Sequence, residues 1–200
     1  MVPSSAVVTA QTSMTSGLLH DADDALRLAR LRAGDDSAFE ELFRLYFVRL
    51  AAFAYLIVRS RDVASEVVHD VFLTLWIRRR QWAPAGAVQT YLFRAVRNRA
   101  YKHLAHERVE TRWANDVPVA LHGTPPDLHA RVEASDAQRA YEHAVEALPP
   151  RAQLIYRMSR EQGVRYEEIA RILEISINTV ETQMRRTLMR LRVQLRSYVE

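Results

Sequence analysis

Asn178, Thr182, Arg185, Arg186 and Met189 fall on one side of a helix at about 100° per residue, with Thr179 and Gln183 at its edges. Hydrogen-bonding and cationic side chains near the start of a helix suit base edges and phosphates. The first turn also has free N–H groups that can meet a phosphate. Ser176, just before it, is a natural N-cap, because its hydroxyl can accept one of those N–H groups. A solvated polar face on a small helical bundle would use the same residue types. A second such face combines Arg94, Arg97, Asn98 and Tyr101, with Lys102 at its margin. Cations with an aromatic among them can follow a phosphate backbone and stack on an unpaired base.

Other chemistry is missing. The seven histidines are His20, His69, His103, His106, His122, His129 and His143, and none belongs to an H-E-x-x-H arrangement. His103 and His106 are three apart, which suits the polar end of a helix better than a metal site lacking further ligands. There is no glycine-rich phosphate loop and no nucleophile, base and orienter set. These absences argue against an enzyme and against a cofactor or metal.

The elements that must carry the two faces read as helices throughout, and the expected class is all-α. Residues 166–173 place Ile169, Ala170 and Leu173 on one side. After a very short break, Ile177, Val180, Met184, Leu188 and Leu191 form the stripe of a second helix running to about Ser197. Two helices joined so tightly cross steeply, as in a helix-turn-helix. Glu168 is expected at the surface of that unit. Before it, residues 136–147 and 150–160 read as helices separated by Pro149–Pro150, with Gly163 at the next turn.

The N-terminal half begins with a flexible tail, then a helix over 22–33 closed by Gly34. The next helix, capped by Asp35 or Asp36, carries Phe39, Leu42, Phe43, Tyr46, Leu50 and Phe53. A third starts near Asp62 with Val63, Val67, Val71 and Leu75 inward and Phe72 and Trp76 nearby. It ends in Arg78, Arg79 and Arg80, cations favoured at a helix C-terminus. Pro84 and Gly86 make 81–87 a loop. The fourth helix, 88–105, buries Val88, Leu92, Ala95, Val96 and Ala100, and its wheel turns Arg99 inward without an evident partner. Residues 106–135 have no clear period, contain Pro118, Pro125 and Pro126, and carry five acidic against three basic side chains. They read as a flexible linker between two helical domains.

Composition agrees. The formal charge is +4, and of 28 basic residues only Lys102 is not arginine, the side chain best suited to planar contacts with phosphate and guanine. No cysteine is present, which excludes disulfides and thiolate metal sites. No apolar run is long enough to span a membrane and no secretory signal is evident, so a soluble cytoplasmic protein without membrane insertion is expected. Two arginine-bearing faces on separate modules suit a bipartite DNA element, because the first contact raises the effective concentration for the second.

The segments AFEELFRLYFVRLAAFAYLIV, DVASEVVHDVFLTLW at 62–76 and YLFRAVRNRA at 91–100, followed by LPPRAQLIYRMSREQGVRYEEIARILEISINTVETQMRRTLMRLR, resemble the extracytoplasmic-function (ECF) sigma factors of the sigma-70 family. The resemblance implies a tail at 1–21, a region 2-like domain at 22–105, a linker at 106–135 and a region 4-like helix-turn-helix domain at 136–200. It implies binding to core RNA polymerase through the clamp coiled coil of its largest subunit. Phe72, Leu75 and Trp76 would support that contact, with Glu66, His69, Asp70 and Arg80 close to it. It implies that loop 81–90, including Trp82, captures a flipped base of the downstream promoter element, and that Arg94, Arg97, Asn98, Tyr101 and Lys102 accompany the opened strand. Ser176, Asn178, Thr179, Thr182, Gln183, Arg185 and Arg186 would read the upstream element. An anti-sigma factor would be a further partner.

Several positions depart from the family pattern. Glu174 stands where a turn glycine is usual, and Lys102 and Ala105 where Asp and Arg are. Glu66–Val67 and His69–Asp70 replace Asp-Leu and Gln-Glu. Glu181 and Gln183 stand where basic residues are common, which implies a divergent upstream element. The alternative reading is a helix-turn-helix repressor or activator that binds duplex DNA without joining polymerase.

Overall fold

The computed structural model describes residues 23–84, 86–113 and 136–196, with side chains omitted over 108–113. The expected tail and most of the expected linker lie outside these residues. The described residues form eight helices: α1 (23–32), α2 (Asp36–Val58), α3 (Arg61–Arg78), α4 (Val88–Trp113), α5 (Asp136–Glu146), α6 (Pro150–Arg160), α7 (Tyr166–Leu173) and α8 (Ile177–Gln194). They form two clusters, α1–α4 and α5–α8, and no β-strand occurs among the described residues.

Local chemistry sets most of the boundaries. Gly34 takes φ +92° after α1, as a left-handed C-terminal turn requires. Asp35 caps α2 by accepting from the N–H groups of Ser37 and Ala38. The Ser37 hydroxyl and the Arg30 guanidinium also donate to its carboxylate. These donors lower its pKa from the usual 3.8 to about 2. A depressed folded-state pKa means the cap is fully stabilising above pH 3.8 and weakens as the pH falls toward 2. A carboxyl NMR titration should show Asp35 protonating well below an ordinary aspartate, and an ordinary midpoint would remove this account of the cap.

In the first cluster, Leu42, Tyr46, Leu50 and Phe53 of α2 meet Val67, Val68, Phe72 and Leu75 of α3 and Leu92, Phe93 and Val96 of α4 in a continuous core. The Tyr46 hydroxyl donates to the buried carboxylate of Asp24, tying α1 to α2. Burial first, and that bond second, raise the phenol pKa far above its usual range. In the second cluster, Ile155 and Met158 of α6 pack with Ile169 and Ile172 of α7 and Val180, Met184 and Leu191 of α8.

Four expectations need correction. First, α4 continues to Trp113 instead of ending near 105, because no proline or glycine interrupts residues 106–113. Second, α8 ends at Gln194, and its inward stripe is Val180, Met184, Thr187 and Leu191. Ile177 and Leu188 lie at its edge, partly exposed, because α6 and α7 meet α8 slightly around the wheel. Third, Arg99 is half exposed and forms an ion pair with Asp70 of α3. Fourth, Glu168 is buried, with 3% of its surface exposed. Its carboxylate accepts from the Arg165 backbone N–H at the start of α7, from Thr90 Oγ1 at 3.2 Å and from Gln89 Nε2 at 3.5 Å, both on α4.

Candidate nucleic-acid interface

The helix-turn-helix is made by α7 and α8. At its turn Glu174 adopts φ 56°, ψ 49°, the left-handed conformation usually left to glycine, which strains a side-chain-bearing residue by about 1–2 kcal/mol. The Ile175 N–H donates to the Ala170 carbonyl at 3.0 Å, closing the C-terminus of α7. Ser176 then starts α8, its hydroxyl accepting from the Thr179 N–H at 3.1 Å. The Ser176 and Thr179 hydroxyls lie 2.8 Å apart and bond to each other, so both are committed to the cap. Beyond them Asn178, Arg185 and Arg186 are exposed, and Thr182 and Gln183 are half-buried at the edges. Glu181 is exposed within the same turn. The seven residues singled out on α8 therefore form one continuous strip, with a carboxylate beside it.

The α4 residues are not equally available. Asn98, Tyr101 and Lys102 are exposed and Arg94 is largely so. Arg97 keeps only 16% of its side chain exposed. Its Nη1 donates to the Ile172 carbonyl of α7 at 2.8 Å, and its guanidinium sits 5.9 Å from the centre of the Tyr101 ring. Glu174 Oε1 lies 3.2 Å from both Arg94 Nη2 and Arg97 Nη1. The Arg97 hydrogen bond, then its charge, then Arg94 hold the Glu174 carboxyl below its usual pKa.

Trp82 does not present its ring to solvent. It is 6% exposed, packs 5.2 Å from the Tyr91 ring, and its carbonyl accepts from Arg32 Nε at 2.7 Å. Its indole N–H is buried without a partner among the described residues. In this conformation Trp82 positions the loop rather than lining its surface.

On α3, Phe72 and Leu75 are buried, and Trp76 is half-buried under the Arg79 guanidinium at 4.0 Å. Glu66, His69 and Arg80 are exposed and Asp70 is half-buried. His69 lies over an aromatic cluster, 4.9 Å from the Phe47 ring and 5.8 Å from that of Phe43. The sequence reading missed Leu73 and Ile77, exposed by 56% and 68%. They continue the Glu66–Asp70 line at helical spacing, so α3 has an outward apolar ridge. The signal was present as a second pair four residues apart, hidden because seven of the eight positions from Val71 to Arg78 are apolar or small.

Two family descriptions match the chain in order: Sigma-70 region 2 over residues 42–109 and Sigma-70, region 4 over residues 138–191. The chain belongs to the sigma-70 family. It is a sigma factor of the ECF type, and the relatives it resembles are matched across both modules. It is 29% identical over 174 residues to the ECF RNA polymerase sigma factor SigM of Mycobacterium tuberculosis, covering 86% of this chain and 84% of that protein. It is 26% identical to the RNA polymerase sigma factor HrpL of Pseudomonas syringae pv. syringae, covering 76% and 81%. Among solved structures, the sigma factor RpoE in complex with the anti-sigma factor NepR from Bartonella quintana shares the fold, with TM-score 0.61, 22% identity and coverage of 79% and 96%. CnrH in complex with the cytosolic domain of CnrY does so with TM-score 0.59, 20% identity and coverage of 87% and 97%. The sigma factor's described residues contain no metal-ligating cluster and no helix long and apolar enough to cross a membrane.

Proposed function

We propose that this sigma factor binds core RNA polymerase, directs it to bipartite promoters and helps hold the opened strand during initiation. It supplies specificity to another catalyst and performs no covalent step itself. The observation that carries this reading is the ordered presence of the region 2 and region 4 matches on one chain, each with an arginine-bearing face.

In this reading, Asn178, Arg185 and Arg186 on the outer strip of α8 contact the upstream duplex, with Thr182 and Gln183 at its edges and Ser176 and Thr179 fixing the helix start. Guanidinium groups take phosphate or guanine, and Asn178 takes a base edge. Arg94, Arg97, Asn98, Tyr101 and Lys102 accompany the non-template strand, where phosphate pairing and stacking offset part of the unpairing cost. Trp82 acts through the shape of its loop. The polymerase clamp coiled coil meets α3 along Glu66, His69, Asp70 and Arg80. We add Leu73 and Ile77 to that surface, with Phe72, Leu75 and Trp76 supporting it from beneath. An anti-sigma factor is the natural antagonist, since the similar sigma factor RpoE of Bartonella quintana is in complex with one.

Purified core enzyme with this chain, supplied with genomic DNA, should yield transcripts whose 5′ ends cluster downstream of one shared bipartite motif. Absence of a stable complex with core enzyme, or 5′ ends no different from those of core enzyme alone, would overturn the proposal.

A further inference from the structure

The two clusters share one apolar core, and where they meet a set of polar contacts fastens one to the other. Arg97 reaches the Ile172 carbonyl and Glu174, and Arg94 reaches Glu174. Thr90 and Gln89 reach Glu168. Arg49 donates to the Gln162 carbonyl at 2.5 Å and Arg59 to Gln153 Oε1 at 2.9 Å. Hydrogen bonds and ion pairs of this kind can be exchanged for water or for another polar partner, which makes them the adjustable part of the junction.

One residue stands apart in this seam. Glu174 occupies a left-handed position at which its side chain is strained, yet its carboxylate bridges the two α4 arginines. A two-oxygen anion held between two guanidinium groups is the arrangement in which arginines bind a phosphate. We propose that Glu174 is an internal phosphate mimic: it latches α7 onto α4, occupies Arg94 and Arg97, and keeps the free chain closed until a nucleic-acid strand displaces it. The proposal rests on the assignment of Arg94 and Arg97 to the opened strand.

The closed state follows from competition. The Glu174 carboxylate is tethered, so it meets the arginines at high effective concentration, but it is itself half exposed and makes only two ion pairs, the one to Arg94 open to solvent. A strand offers several phosphates at once and gains from counterion release, so it wins when presented at high local concentration, as on an opened promoter. Stray single strands at low concentration lose. The latch would thus suppress unproductive binding by the polymerase-free protein.

The chain has no cysteine, so Val48→Cys on α2 and Val193→Cys on α8, both at exposed positions, give a specific dye pair on the full chain. Glu174→Gly removes the carboxylate and relieves the left-handed strain, so it should fold at least as well; Glu174→Gln keeps the shape without the charge. With either variant, the dye-to-dye distance should lengthen. Binding of a fluorescein-labelled oligothymidine should tighten by about three- to tenfold at low salt. Unchanged distance in both variants, whatever the affinity, overturns the latch. Lengthening with unchanged oligothymidine affinity keeps the latch and overturns the assignment of Arg94 and Arg97 to the strand.

Discussion

Phe53→Ala is expected to destabilise the first cluster by about 3–5 kcal/mol, the usual penalty for removing a fully buried phenylalanine. Phe53 is 1% exposed, and its ring meets that of Phe93 edge-on at 5.1 Å. The change therefore removes apolar burial and an aromatic pair together, at the contact that fixes α2 against α4. Because α4 carries the proposed strand face, the loss reaches the site as well as the fold. The three tryptophans, Trp76, Trp82 and Trp113, all lie on α3, on α4 or in the loop between them, so urea unfolding followed by tryptophan fluorescence reports this cluster selectively. The midpoint should fall sharply with little change in slope. A loss below about 1 kcal/mol would mean that α2 and α4 close over the gap, and that the core is less tightly specified than its burial implies.

The second large effect is on promoter recognition. Arg186→Ala removes an exposed cation from the α8 strip, at a position where it supports no packing. Holoenzyme binding to promoter duplex should weaken by about tenfold, within the 1–3 kcal/mol typical of one arginine contact, and run-off transcription should fall with it. If Arg186 touches phosphate, the loss is uniform across sequences and the salt slope drops by about one; if it reads a guanine, preference relaxes at a single base pair. Arg97→Ala should behave differently, leaving duplex docking near normal while lowering the yield of open complex, as read by permanganate reactivity of unpaired thymines. Unaltered run-off output from both variants would reject the residue assignments on both faces.

The helix-turn-helix was legible because its determinants are local. Ser176 announces the start of α8, and Ile169, Ala170 and Val180 sit at spacings that only buried helical faces explain. The outer strip of α8 was legible for the same reason. What escaped the sequence depends on residues far along the chain. The burial of Glu168 is set by Thr90, 78 positions away, and nothing local to α7 reveals that a carboxylate there will be satisfied from α4. Arg99 was placed by its wheel angle, but a long side chain at a helix flank can turn toward a neighbouring carboxylate, here that of Asp70. Trp82, in a proline-containing loop, looked free, and its burial under Arg32 and against Tyr91 arises only once α1 and α4 converge. The α4 wheel put Arg94, Asn98 and Tyr101 outward but turned Arg99 inward, and it could not show that Arg97 would be held by α7 while Asn98 and Tyr101 remained open.

Glutamate and glycine codons differ by a single transition, GAA to GGA or GAG to GGG. Position 174 therefore lies one base change from a residue that suits its φ of 56° better and carries no anion. Backbone comfort favours glycine there, so the cost of the left-handed turn is one that only the carboxylate's own contacts can offset.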